Sequence, residues 1–121
     1  MSHKILVVDD EADVRAFLTA VLEKAGYDVV TAADGGQALA RLDEAKPDLI
    51  CLDLQMPDHT GTDFYRRLMK HETMSDTPII VVSGLAGRHL AVRKPFAVFD
   101  KPIVPEEFIE TIERALGVNG D

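Results

Sequence analysis

A single cysteine, Cys51, excludes an internal disulfide and the disulfide-stapled class of small secreted domain. Its place in an apolar run marks it as a small buried hydrophobe rather than a reactive thiol. No apolar stretch approaches the roughly 20 residues of a membrane-spanning helix, so no membrane contact is expected. Met-Ser-His-Lys leads straight into the first apolar segment and leaves no room for a signal peptide, so the expected location is cytoplasmic. Basic residues are the minority: 13 Lys and Arg stand against 21 Asp and Glu, a formal charge of −8. Nonspecific nucleic-acid binding needs cations to neutralise phosphates, and no direct nucleic-acid contact is expected. The local basic stretch Arg88, His89, Arg93, Lys94 and Lys101 reads as solvated surface when taken as a charge run alone. Gly35-Gly36 lacks the GxGxxG pattern of a dinucleotide loop, and no nucleophile elbow is present. His3, His59, His71 and His89 do not form a metal-binding set by spacing and read as surface residues.

What is present alternates between strand and helix from end to end. Ile5–Val8 is short, apolar and β-branched, as in a strand buried on both faces of a parallel sheet. Val14, Phe17, Leu18, Val21, Leu22 and Ala25 then recur at helical intervals, and Gly26 is placed to end that helix in a left-handed conformation. Asp28–Ala32 is a second strand. Asp34, with Gln37 three residues later, suits a capping box for a helix that buries Ala38, Leu39 and Leu42. Strand three is Leu49–Leu52, followed by a loop and a helix over about 61–71 that packs Phe64 and Leu68. Ile79–Val82 is strand four. Between Gly84 and Lys101 the pattern predicts a short helix around Gly87–Val92 and a strand over Phe96–Phe99. The closing helix starts at Pro105, carries Glu106 and Glu107 in its first turn, and buries Phe108, Ile109, Ile112 and Leu116.

Five strands alternating with helices imply a parallel sheet covered on both faces, which binds ligands beyond the carboxyl ends of its strands. Asp9 and Asp10 follow the first strand and Asp53 the third, while Ser83 and Lys101 follow the fourth and fifth. All five are predicted to share one edge. Three carboxylates brought together there raise one another's pKa or recruit a cation. The pattern predicts a site.

The ordered set Val7-Val8-Asp9-Asp10-Glu11, Asp53-Leu54-Gln55-Met56-Pro57 with Gly61, Ser83-Gly84 and Lys101-Pro102 resembles the receiver domain of two-component response regulators. The resemblance spans residues 1–121 as one receiver domain. It implies a flavodoxin-like, doubly wound α/β fold with five parallel strands in the order 2-1-3-4-5 and flanking helices. It also implies a phosphorylation-dependent switch rather than an enzyme, assisting only its own phosphoryl transfer and dephosphorylation. Asp53 would be the phosphoacceptor, served by a histidine kinase or a histidine phosphotransfer protein. Asp10, Asp53 and the backbone carbonyl of Gln55 would hold Mg2+ (or Mn2+) directly, and Asp9 through water, in keeping with the preference of magnesium for carboxylates plus water. Lys101 would pair with Asp53 or the phosphoryl group, Ser83 would donate its hydroxyl, and the amides of Leu54 and Gly84 would donate as well. Glu11 is expected in the first turn of the first helix rather than on the metal. The downstream target is not specified, and a monomer or weak dimer is expected.

Three departures from the family pattern stand out. Val98 occupies the place of the usual switch aromatic, and neighbouring Phe99 should face the opposite side of its strand. The interval from Ser83 to Lys101 is about one helical turn short, which predicts a short or irregular fourth helix. Val104 stands where a capping Asp or Ser is common, forgoing roughly 1 kcal/mol. Two other functions compete with the switch. An aspartyl-phosphate-forming small-molecule phosphatase would need a second carboxylate two residues after Asp53, where Gln55 stands; a binding-only receiver that is not phosphorylated would have no need of the intact acidic set.

Overall fold

Five short strands pair in parallel in this computed structural model, which describes residues 3–56, 60–83 and 95–117, and the three central ones are buried on both sides. The elements run β1 (Lys4–Val8), α1 (Ala12–Lys24), β2 (Asp28–Ala32), α2 (Gly35–Ala45), β3 (Leu49–Leu52), α3 (Thr60–Met69), β4 (Ile79–Ser83), β5 (Ala97–Asp100) and α4 (Pro105–Leu116). The sheet order is β2-β1-β3-β4-β5, every neighbour parallel, as the resemblance implied.

Period-two alternation along the strands divides the interior into two layers. Leu6, Val8, Ile50, Leu52 and Val81 face α2 and α3, where they meet Leu42, Phe64 and Leu68. Ile5, Val7, Leu49, Cys51, Ile80 and Val82 face α1 and α4, where they meet Leu18, Leu22, Phe108 and Ile112. Each large side chain so buried contributes roughly 1.5–3 kcal/mol, which explains why these positions are apolar on both faces of β1, β3 and β4. Burial pushes the Cys51 thiol pKa up, in keeping with its reading as a hydrophobe.

The helix ends follow local chemistry. Asp34 accepts from the Gln37 amide while the Gln37 side chain accepts from the Ala33 amide, so the expected cap forms. Gly26 sits at φ +97°, the left-handed region predicted for it. α4 begins behind Val104 with no side-chain cap, and Pro105 takes the first turn.

Several expectations need correction. Phe17 lies on the periodic stripe of α1 yet is 44% exposed, because Leu18 and Leu22 already fill the contact with the sheet. β5 runs Ala97–Asp100, one residue later than the apolar run suggested, because its register pairs Ala97 with Ile80 and Asp100 with Ser83. α3 stops at Met69, not at residue 71. The His71 ring ends it by accepting from the amides of Thr73 and Met74 at Nδ1 and bonding Asp43 of α2 through Nε2 at 2.9 Å. His71 is therefore a half-buried tie between α2 and α3 rather than a loose surface residue. The helix expected around residues 87–92, and with it the short or irregular fourth helix, lies outside the described residues, as do His59 and His89.

Candidate functional site

β1 and β3 are neighbours with Val8 opposite Leu52, so the residues that follow them meet at one end of the sheet. The Asp53 amide donates to the Val8 carbonyl at 2.9 Å, and the Asp9 amide to the Ala32 carbonyl at 3.1 Å. These bonds carry the sheet one residue further and hold both carboxylates at its rim. Asp9 and Asp53 are each 1% exposed, whereas Asp10 faces solvent. Carboxylate oxygens of Asp9, Asp10 and Asp53 lie within 4.8 Å of one another, the convergence that the strand-end pattern predicted.

Two Asx-type turns lock the buried acids. Asp9 Oδ1 accepts from the Glu11 amide at 2.9 Å, and Asp53 Oδ1 accepts from the Gln55 amide at 2.8 Å. Their other oxygens point inward to the end of β5, where the Lys101 ammonium lies 3.1 Å from Asp9 Oδ2 and 3.5 Å from Asp53 Oδ2. The longer contact is an ion pair without a hydrogen bond. Asp53 Oδ2 is a buried oxygen with no hydrogen-bond partner among the described residues.

The electrostatics follow from this placement. Burial raises the Asp53 carboxyl from the usual 3.8 to about 6; the Gln55 amide and Lys101 oppose the rise, and Asp9 and Asp10 reinforce it. For Lys101, burial alone would lower the pKa, but the carboxylates of Glu11, Asp9 and Asp53 outweigh it and hold the ammonium protonated. A buried carboxylate with one unsatisfied oxygen, beside two further carboxylates, suits a small hard cation that prefers oxygen ligands. These residues fit Mg2+ or Mn2+.

Several contributors escaped the sequence reading. Glu11 is the N-cap of α1, not a first-turn residue, and its side chain reaches Lys101 at 3.0 Å across 90 residues of sequence. Arg15 donates through Nη1 to the Asp9 carbonyl at 2.7 Å and ties α1 to the β1 turn. Spacing signals neither contact, since both depend on how separate elements dock.

Gly61 belonged to the recognised set, and its role is steric. A Cβ there would stand 2.6 Å from the Asp53 carbonyl oxygen and 3.1 Å from Met56 Cε. Because backbone cannot yield as a side-chain tip can, Gly61→Ala is expected to cost about 1–3 kcal/mol in urea unfolding and to displace Asp53. Unchanged stability would show that the turn after β3 absorbs the methyl group.

Ser83 ends β4 at the same edge, paired in register with Asp100; its hydroxyl and the amide of Gly84 lie outside what is described. Lys101 is followed by a cis peptide bond to Pro102. Val98 is 36% exposed on the outer face of β5, while Phe99 packs edge-on against Phe108 of α4, with ring centroids 5.5 Å apart. The two side chains do face opposite ways. Beside the site, Val14, Phe17, Pro102 and Ile103 line a shallow cavity of about 470 Å3 that Glu11, Asp13 and Lys101 complete.

Residues 5–113 match the family model of the response regulator receiver domain. Protein Rrf1 of Nitratidesulfovibrio vulgaris is 31% identical over 116 residues, covering 96% of this chain and 84% of Rrf1. The phosphate regulon transcriptional regulatory protein PhoB of Pseudomonas aeruginosa is 34% identical over 120 residues, covering 96% of this chain but only 52% of PhoB. Among solved structures, the chemotaxis protein CheY4 of Vibrio cholerae superposes with a TM-score of 0.87 at 33% identity, covering 96% of this chain and all of that one.

Proposed function

The chain belongs to the response regulator receiver family, and from that premise we propose that residues 1–121 act as one receiver domain phosphorylated on Asp53. A receiver of this kind is a phosphorylation-dependent signalling switch. The observation that carries the residue assignment is the Oδ2 of Asp53, which has no hydrogen-bond partner among the described residues and is buried within ion-pair distance of Lys101 and beside two further carboxylates.

A phosphohistidine on a histidine kinase or phosphotransfer protein would be the donor. An Asp53 carboxylate oxygen attacks phosphorus, the new O–P bond forms as the P–N bond breaks, and the electron pair stays with the imidazole nitrogen. With a pKa near 6, Asp53 is mostly ionised at pH 7.5 and needs no separate base. The Lys101 ammonium answers the charge that spreads over the phosphoryl oxygens, and the family resemblance gives the Ser83 hydroxyl a donor role toward the same oxygens. Asp10, Asp53 and the Gln55 carbonyl would hold Mg2+ or Mn2+, with Asp9 acting through water. The ion supplies further charge neutralisation for the same oxygens.

The cavity beside Lys101, with exposed Phe17 on its wall, suits the approach of a donor protein. Val98 in place of an aromatic means that activation is read out by some means other than a ring flip at that position. Among the described residues no helix is long and apolar enough to cross a membrane; a cytoplasmic role fits histidine kinase partners.

The test is intact mass after incubation with Mg2+ and a small acyl-phosphate donor. Wild type is expected to gain one phosphoryl group and Asp53→Asn none. A wild type that never gains the adduct overturns the reading in favour of a binding-only receiver. Repeated turnover of small phosphate esters would instead make the protein a phosphatase.

A further inference from the structure

We propose that Glu11 is a latch that holds Lys101 in its resting place, and so acts as a positioning residue for phosphoryl capture. The inference rests on Asp53 being the phosphoacceptor. Lys101 Nζ lies 3.0 Å from Glu11 Oε1 and 3.1 Å from Asp9 Oδ2, but 3.5 Å from Asp53 Oδ2. The ammonium is drawn toward the mouth of the site and stops short of the oxygen that most lacks a partner. A phosphoryl group on Asp53 would require Nζ to turn inward and give up Glu11.

The backbone around Glu11 makes the reach reproducible. Its amide is tied to Asp9 Oδ1, its carbonyl accepts from the Arg15 amide at 3.0 Å, and its extended conformation (φ −90°, ψ 117°) starts α1. Held on both sides, the residue can direct its half-exposed side chain across to Lys101 without joining the Asp9, Asp10 and Asp53 cluster. An interaction made in the resting arrangement and lost in the phosphorylated one opposes the change by its own strength. Because the pair is partly solvated, that strength is small, and the latch tunes the switch rather than locking it.

The probe is the phosphoryl analogue beryllium fluoride, titrated in the presence of Mg2+ against wild type, Glu11→Gln and Glu11→Asp. Glu11→Gln removes the charge; Glu11→Asp keeps it but ends one methylene short of Nζ. Both variants are expected to bind the analogue about threefold more tightly than wild type, with unfolding midpoints unchanged. Tighter binding by Glu11→Gln alone would mean simple charge repulsion of the anion and would overturn the latch, as would equal affinity in all three proteins. A second readout needs neither metal nor analogue. In EDTA, the Lys101 ε-methylene signal in a 1H–13C spectrum is expected to move in both variants, and an unmoved signal also overturns the proposal. Failure of the phosphoacceptor reading would look different, because wild type itself would then not bind the analogue.

Discussion

Lys101→Ala is expected to unfold at a markedly lower urea concentration than wild type in EDTA at pH 7.5, a loss of about 2–4 kcal/mol. Lys101 is 20% exposed and places one ammonium against two carboxylates that are almost fully buried. Removing it leaves Asp9 and Asp53 facing each other at the end of the sheet. Breaking a buried pair from one side costs more than the pair contributes, because the remaining charge keeps its desolvation penalty. The loss is smaller than for a fully enclosed pair, since Asp53 can take up a proton; Lys101 is one of the groups holding its pKa down. The defect should therefore shrink toward pH 4, and Mg2+ at neutral pH should restore part of the stability. A variant as stable as wild type in EDTA would show that water reaches the carboxylates and that Lys101 is not their counter-ion.

Asp53→Asn is expected to act in the opposite direction and stabilise the metal-free protein at pH 7.5 by up to about 3 kcal/mol. A folded-state pKa of about 6 against 3.8 means that the folded protein holds this proton more tightly than the unfolded chain. Between these values the folded state carries more protons, so stability from this group rises as pH falls and declines as pH rises through about 6. Above that value ionised Asp53 is a standing cost, which Asn removes. The difference between the two proteins should thus be largest at pH 7.5 and close to zero near pH 4, measured by urea unfolding in EDTA. Mg2+ should narrow it by stabilising wild type preferentially, because a ligand that binds only the folded state shifts the equilibrium by mass action. If Asn lowered stability at pH 7.5, the carboxylate would be a net stabilising group and the burial argument for its pKa would fail.

Both effects share one origin. Three carboxylates and one ammonium share a small space at the end of the sheet, and keeping the buried carboxylates charged there costs stability. The metal-free fold compensates with the apolar strands beneath, where Ile5–Val8 and Leu49–Leu52 are almost entirely buried.

Much of this was legible in the chain. β2 and β3 have the predicted bounds and β1 and β4 differ by one residue; for β1, β3 and β4 an apolar run bounded by polar residues leaves little choice for a strand buried on both faces. The strand-end positions of Asp9, Asp10 and Asp53 put them at one edge of the sheet, whereas the strand order that makes β1 and β3 neighbours, and the roles proposed for Ser83, Lys101 and Gln55, came through the family resemblance. Phe17 was misread because helical periodicity identifies a face without saying how wide the buried stripe is. The end of α3 was misread because the His71 ring, not a glycine or proline, terminates it. Phe99 was read correctly, since period-two alternation suffices to oppose it to Val98.

Among the described residues, local sequence by itself determined the order of strands and helices and which carboxylates stand at the strand ends, because backbone periodicity and burial act over a few neighbours. Only the tertiary structure decided where Lys101 points. It divides its ammonium unequally among Glu11, Asp9 and Asp53, and that division depends on the docking of the β5–α4 turn against the β1–α1 turn. Contacts across 90 residues are set by how whole elements pack, and no local pattern encodes a difference of half an ångström.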